Sequence, residues 1–135
     1  TINALAAADS VIIPVQAHYL SAKGMTQLVQ TVSKVKRQIN RHLKIDGILL
    51  TLVDERTNLA KSTRKAVDES YGKHIKVFKT YIPIAIKAAE TTSKGKSIFA
   101  YEPNSTVAKA YEKLTKEVLD NGEKQFNRLH AEQVR

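Results

Sequence analysis

The sequence predicts an α/β fold that forms part of a doubly wound parallel sheet, with about three parallel strands, flanking helices and a long carboxyl-terminal helix. Apolar runs of strand length alternate along the chain with stretches whose apolar residues recur at helical spacing, an order that produces parallel strands with right-handed crossovers. The run ILLTLV at residues 48–53 is almost wholly apolar, as expected for a strand covered on both faces. Three strands are few for a complete fold of this class.

The first elements are predicted to be a helix, a strand and a second helix. Residues 2–8 are short and apolar, and residues 11–15, VIIPV, form a compact strand. Pro14 has no N–H for a ladder hydrogen bond, so it indicates a strand end or a sheet edge. Ser21 is a predicted helix cap. The following helix presents one apolar stripe, made of Met25, Leu28, Val29, Val32, Val35 and Ile39.

The stretch at residues 46–58, DGILLTLVDERTN, predicts a buried strand, a polar turn and the start of a helix. Ligands of parallel sheets gather at the carboxyl ends of the strands, so the polar residues after this strand are candidates for function. The alternative is that Thr57 or Asn58 only caps the helix. Gly72 is predicted to close that helix in a left-handed conformation, and its buried face is predicted to contain Leu59, Thr63, Ala66 and Val67.

A third strand is predicted over residues 76–82, ended by Pro83, and a short helix over residues 84–92. The basic glycine loop SKGKS follows. The terminal helix is capped by Asn104 or Ser105, and its apolar positions are Val107, Tyr111, Leu114, Val118, Phe126 and Leu129. Asn121 and Gly122 are expected to break it, so residues 1–120 are taken as the main unit and 121–135 as a helix extension or tail.

Composition narrows the functional classes. The 135 residues include no cysteine, which excludes disulfides and thiolate metal sites, and the four histidines show no zinc spacing. No apolar run is long enough to span a bilayer, so we expect a cytoplasmic protein without membrane association. The chain starts at Thr1 and enters a helical segment directly, which leads us to expect a piece of a longer protein.

The charge balance favours an anionic partner. The formal net charge is +9 and the isoelectric point is about 9.8, values typical of proteins that bind nucleic acid or acidic surfaces. The alternative is a solvated basic surface without a ligand.

Four segments resemble, in the same order, segments of the ParA/Soj family of partition ATPases: TINALAAADSVIIPVQAHYLSAKGM, ILLTLVDERTNLA, VFKTYIP and KAAETTSKGKSIF. The resemblance covers the chain up to Leu119 and corresponds to roughly the carboxyl-terminal half of such a protein. It implies a deviant Walker-A P-loop NTPase that binds ATP and magnesium, forms a sandwich dimer, binds DNA without sequence specificity and is stimulated by a ParB-type centromere-binding protein. It also implies a bacterial, nucleoid-associated protein that serves plasmid or chromosome partition.

The phosphate-binding loop of that family is not found in this sequence. A Gly-Lys-Ser triplet occurs at Gly95, Lys96 and Ser97, but the glycine required five positions earlier is replaced by Glu90. The Walker-B aspartate is also absent. We therefore expect this segment alone to hold no nucleotide tightly and to hydrolyse no ATP, with no catalytic or metal-binding residues of its own.

The resemblance assigns four residues to the nucleotide side of the fold. Gln16 corresponds to a polar strand-end residue near the nucleotide and the dimer face. Thr51 and Asp54 correspond to the base side of the pocket, and the backbone at Pro83 to the lining of the adenine. For each residue the alternative is structural, a helix cap or a strand-ending proline.

Three positions depart from the family pattern. His18 stands where many relatives carry glutamate, and Ile84 and Ala85 stand where many carry arginine and asparagine. An acidic role at the first position and side-chain contacts at the other two are therefore not expected.

Lysine and arginine hold DNA phosphates without reading bases. Basic residues cluster around the start of the second long helix and around the short helix with its glycine loop. Lys87 is the first candidate, because relatives carry a basic DNA-contacting residue there. The predicted DNA-binding residues are Arg56, Arg64, Lys65, Lys87, Lys94 and Lys96, with Lys61 beside the first group.

Two other functions stay open. One is a non-enzymatic basic α/β module that binds DNA or a protein partner, and a KGG-x-GK-T/S loop upstream of Thr1 would argue against it. The other is a membrane-surface ATPase of the MinD type, which the mixed charge after Asn121 disfavours. The exposed edge of the strand at residues 11–15 predicts self-association into a dimer or higher oligomer.

Overall fold

The computed structural model describes residues 1–17 and 22–133, without the side chains of residues 22, 23, 125, 126 and 128–133. Helices and strands alternate along it, as the sequence predicts. The elements are α1 (Ile2–Ala7), β1 (Ser10–Gln16), α2 (Ala22–Gln38), β2 (Lys44–Thr51), α3 (Asn58–Tyr71), α4 (Ile86–Lys94), α5 (Ile98–Tyr101) and α6 (Thr106–Gln133).

The two strands are parallel and in direct contact. Ser10 pairs with Lys44 at one end and Gln16 with Thr51 at the other, with an irregularity in the register near Asp46. The hydroxyl of Ser10 donates to the carboxylate of Asp46 at 2.6 Å. Both strands therefore end at the same edge, where ligands of parallel sheets collect.

The predicted third strand is present as two separate parallel bridges. Val77 bridges to Ile48, and Pro83 bridges to Val53. Between them the pairing with β2 is interrupted, and the N–H groups of Lys79 and Thr80 donate to a carboxylate of α6. This segment, residues 76–83, lies on the opposite side of β2 from β1, so β2 is the central strand.

Helices cover both faces of the sheet. Ile48 and Leu50 belong to a buried cluster with residues of α2 and α3, whereas Leu49 belongs to a second cluster with Phe78 and residues of α6. The apolar run of β2 is thus buried on both faces, which is why it lacks the alternation of a half-exposed strand.

Three details of the helices differ from the sequence prediction. Ile39 lies beyond the end of α2 and is 57% exposed, and Leu59 is 49% exposed while Ala60 takes the buried position. Gly72 has a right-handed conformation, with φ of −61°. A Cβ there would lie 2.5 Å from the carbonyl oxygen of Asp68, so glycine is needed for space and not for handedness.

The terminal helix shows one confirmation and one correction. Ser105 is its cap, because the Ser105 hydroxyl accepts a hydrogen bond from the Ala108 N–H at 3.2 Å. The predicted break at Asn121 and Gly122 is wrong, since α6 continues through both. The predicted cap at Ser21 and the side chains of Phe126 and Leu129 lie outside the described residues. Within the described part, none of the helices is long and apolar enough to cross a membrane.

Candidate functional site at the carboxyl edge of the sheet

The four residues assigned to the nucleotide side lie along one edge. Gln16 and Thr51 are register partners at the ends of β1 and β2, and the N–H of Ala17 donates to the carbonyl of Thr51 at 3.0 Å. Asp54 follows β2, and Pro83 reaches the same edge through its bridge to Val53. The fold therefore brings together three segments that are far apart in sequence.

Threonine side chains fix the backbone at this edge. The Thr51 hydroxyl donates to the carbonyl of Val15 at 3.3 Å, and the buried Thr63 of α3 donates to the carbonyl of Ala17 at 2.8 Å. The hydroxyl of Thr51 is thus already engaged by β1, whereas the side chain of Gln16 is exposed.

The backbone turns sharply where β2 ends. Leu52 has φ of +51°, a left-handed conformation that is unfavourable for leucine. The turn lets the N–H of Val53 donate to the carbonyl of Ile82 at 3.1 Å and its carbonyl accept from the N–H of Ile84 at 3.0 Å. Such backbone outliers cluster at functional sites, so the strained residue marks this edge independently of the sequence pattern.

Asp54 organises the loop that follows. Its carboxylate accepts from Nε of Arg56 at 3.0 Å and from the second guanidinium nitrogen at 3.1 Å, and the hydrogen bond raises the pKa of Arg56 above its ordinary value. The Asp54 carbonyl accepts from the hydroxyl of Thr57 at 2.9 Å, and Thr57 in turn caps α3. The predicted nucleotide residue Asp54 and the predicted DNA residue Arg56 are therefore held to each other.

A cavity of about 450 Å³ opens beside Pro83, between the segment of residues 76–83 and the start of α6. It is rich in lysine. Of the four residues assigned to the nucleotide side, Pro83 alone lines it. The other lining residues are Glu55, Lys79, Thr80, Tyr81, Thr106, Lys109, Ala110 and Lys113.

Sequence reasoning missed most of this cavity. Lys109 and Lys113 are four residues apart and therefore share one face of α6, a signal that the sequence contains. Tyr81 gave no such signal, because it lies in a predicted strand and its exposure depends on the path of that segment.

Two further predicted DNA-binding residues, both on α3, have structural partners. The guanidinium of Arg64 donates to the backbone carbonyls of Lys79 at 3.3 Å and Phe78 at 3.4 Å. Lys65 lies 3.8 Å from the carboxylate of Glu69 and is largely exposed. Arg64 therefore links α3 to the segment of residues 76–83, whatever else it binds.

Lys87 on α4 lies between two carboxylates. Its Nζ is 3.4 Å from Glu90 and 3.7 Å from Glu102, and 5.5 Å from the ring centre of Tyr101. The interaction with Glu90 raises the pKa of Lys87. The Tyr101 hydroxyl donates to Glu90 at 2.9 Å, which lowers the pKa of Glu90 and raises that of Tyr101.

Lys94 and Lys96 flank the left-handed Gly95, which ends α4 with φ of 59°. Both are exposed. Among the residues that the structure describes, neither ammonium group has a carboxylate within 4.0 Å. The glycine loop therefore presents two unpaired cations, unlike the other predicted DNA-binding residues.

The described residues include no group of three or more histidine or acidic side chains that could hold a metal ion.

Comparison with solved structures supports the architecture. The chain resembles cobyrinic acid a,c-diamide synthase from Mycobacterium smegmatis with bound ADP and magnesium, with a TM-score of 0.69 and 28% identity over 90% of this chain and 42% of that one. Another structure of that enzyme gives a TM-score of 0.64 and 30% identity over 82% of this chain and 38% of the other.

Comparison with curated proteins is more specific. Soj, the sporulation initiation inhibitor of Bacillus subtilis, is 45% identical over 90% of this chain and 47% of its own length. The chromosome-partitioning ATPase Soj of Treponema pallidum is 42% identical over 88% of this chain and 46% of its own length. The chromosome-partitioning protein ParA of Caulobacter vibrioides is 35% identical over 88% of this chain and 44% of its own length. A family model described as an AAA domain matches residues 1–45.

The parallel strands, the helices on both faces and the long terminal helix define an α/β protein of the P-loop NTPase class. Within that class, the chain belongs to the ParA/Soj family. It spans about half the length of the curated relatives that it matches.

Proposed function

We propose that this chain supplies the base side of the nucleotide site and a DNA-binding surface to a ParA-type partition ATPase. In this proposal it acts with ATP and magnesium, as a dimer, on non-specific DNA, and with a ParB-type centromere-binding partner. The observation that carries the proposal is the meeting of β1, β2 and the segment of residues 76–83 at one edge, beside a cavity large enough for a nucleotide base.

The cavity beside Pro83 fits part of a nucleotide. Lys79, Lys109 and Lys113 offer positive charge against the acidic side chain of Glu55. Bound ATP would supply the phosphoryl group. The residues of this chain would position the base and exclude water, because the chain contains no phosphate-binding loop.

A substitution that fills the cavity tests this assignment. Thr106 is exposed at the rim, so Thr106→Trp is expected to weaken ATP binding by the complete protein about tenfold or more. Asn104→Trp, on an exposed residue that does not line the cavity, is the matched control. Equal affinity of the two variants, measured with a fluorescent ATP analogue, would contradict the assignment.

Lys94 and Lys96 support the DNA-binding part of the proposal. They are exposed and unpaired within the described part of the chain, and cations of this kind bind phosphates through counterion release. Because the glycine loop holds them two residues apart, one loop can contact neighbouring phosphates. The net charge of +9 favours the same partner.

Charge reversal tests the DNA surface. Lys94→Glu with Lys96→Glu is expected to weaken binding of an arbitrary DNA duplex and to reduce the salt slope by about 0.9 for each phosphate that the variant no longer neutralises. The matched control reverses Lys34 and Lys36, two exposed lysines of α2. Equal reductions in affinity in both double variants would show a general charge effect and no specific surface.

Nucleotide dependence separates the partition ATPase from a non-enzymatic DNA-binding module. The proposal requires that the complete protein hydrolyse ATP with magnesium, faster when DNA and the ParB-type partner are present. DNA affinity that is indifferent to ATP, together with absent turnover, would favour the non-enzymatic module.

A further inference from the structure

We propose that Glu102 and Glu90 compete with DNA phosphates for Lys87, so that this lysine does not bind a phosphate while both ion pairs are formed. The inference rests on the proposed DNA-binding function and concerns the regulation of that surface. It starts from the difference between Lys87, which lies within 4.0 Å of two carboxylates, and Lys94 and Lys96, which have none within that distance among the described residues.

Lys87 and its two partners together carry a negative charge. One ammonium group faces two carboxylates at 3.4 and 3.7 Å, so these three groups sum to minus one, and Lys94 acts on Glu90 from a greater distance. A phosphate that approached Lys87 in this arrangement would also approach Glu90 and Glu102, and the repulsion would offset the attraction. Lys87 can therefore contribute to DNA binding only when a carboxylate moves away.

The two carboxylates are held differently. Glu90 accepts the hydroxyl of Tyr101 at 2.9 Å, so it is tied to α5 as well as to Lys87. Glu102 follows α5, and its backbone carbonyl accepts from the Ser105 hydroxyl at 2.7 Å. Its side chain is about half exposed and the ion pair is 3.7 Å long. Glu102 is therefore the carboxylate that can be displaced without breaking the contact between α4 and α5.

Exposed ion pairs of this kind are weak, which makes the competition reversible. A polyanion that already contacts Lys94 and Lys96 would stand next to Lys87, and its phosphates could displace Glu102. The arrangement would keep affinity for isolated anions low and would favour a ligand long enough to reach all three lysines.

The test is a double-mutant cycle in the complete protein with ATP, magnesium and an arbitrary DNA duplex. Glu102→Gln is expected to tighten binding about two- to fivefold and to steepen the salt slope by about 0.9. Lys87→Ala is expected to weaken binding less in the wild type than in the Glu102→Gln background, where it abolishes the gain. Glu112→Gln, which frees Lys116 from a 3.0 Å pair on α6, is the matched control.

The outcomes are distinct. A gain that requires Lys87 supports the competition. A gain equal to that of Glu112→Gln, or one that persists without Lys87, overturns it as a general effect of removing negative charge. If the wild-type protein does not bind DNA, the proposed function fails as well. If binding depends on Lys94 and Lys96 but not on Glu102, the competition alone is wrong.

Discussion

The carboxylate of Glu117 on α6 accepts a hydrogen bond from the backbone N–H of Lys79 at 2.9 Å. Its second oxygen accepts from the N–H of Thr80 at 3.0 Å, and the ammonium of Lys76 lies 3.6 Å away. One side chain thus satisfies two consecutive N–H groups in the middle of the segment of residues 76–83, where the pairing with β2 is interrupted. It also anchors that segment, which lines the candidate nucleotide cavity.

Removal of this carboxylate is expected to destabilise the fold. Glu117→Ala leaves the N–H groups of Lys79 and Thr80 without their charged acceptor, and hydrogen bonds to charged groups contribute about 1.5–3 kcal/mol each. Since the two bonds share one carboxylate and the site is partly exposed, we expect a loss of about 2–3 kcal/mol. Urea denaturation followed by circular dichroism measures it. Glu112→Ala, on an exposed residue of the same helix, is expected to change stability by less than about 0.5 kcal/mol.

The same carboxylate is expected to make stability depend on pH. Burial raises the pKa of Glu117. The N–H groups of Lys79 and Thr80 and the charge of Lys76 lower it by a larger amount, so the pKa lies below the ordinary value of 4.5. A carboxylate with a lowered folded-state pKa contributes fully above its unfolded-state pKa, and the contribution is lost as pH falls through the folded-state pKa. Denaturation midpoints between about pH 6 and about pH 3 should therefore fall more steeply for the wild type than for Glu117→Gln. Parallel curves would contradict the assignment.

Gly47 is expected to tolerate no side chain. A Cβ at this position would lie 2.8 Å from the ring of Phe78 and 2.9 Å from the carbonyl oxygen of Lys76, an oxygen that accepts the N–H of Ile48. Gly47→Ala should therefore cost about 1–3 kcal/mol through overpacking. Gly122→Ala is the control, because nothing lies within 4 Å of its Cβ position in α6. It should stabilise the protein by about 0.5–1 kcal/mol, and destabilisation by both variants would contradict this explanation.

The left-handed conformation of Leu52 is expected to be costly. Leu52 is 41% exposed, so its replacement costs less than that of a fully buried leucine, while glycine adopts a φ of +51° without strain. Leu52→Gly should leave stability unchanged or raise it by about 1 kcal/mol. Leu119→Gly, on an exposed residue within α6, should lower stability by about 1 kcal/mol. Equal destabilisation by the two variants would show that the turn carries no strain.

The sequence predicted the candidate site in part. It placed Gln16, Thr51, Asp54 and Pro83 at strand ends, and strand ends meet at one edge in a parallel sheet. It did not predict that Asp54 and Arg56 would pair, nor that Arg64 would donate to the carbonyls of residues 78 and 79. Those contacts depend on side-chain directions and on chain paths that no local pattern encodes.

The sequence by itself determined the fold class, the burial of β2 on both faces and the family, and it narrowed the cap of α6 to Asn104 or Ser105. These properties follow from local periodicity and from the order of the family segments, both of which can be read directly from the sequence. Only the tertiary structure decided that the third strand would open between Val77 and Pro83. There Glu117, almost forty residues further along the chain, accepts the Thr80 N–H that regular pairing would direct to β2, together with the N–H of Lys79.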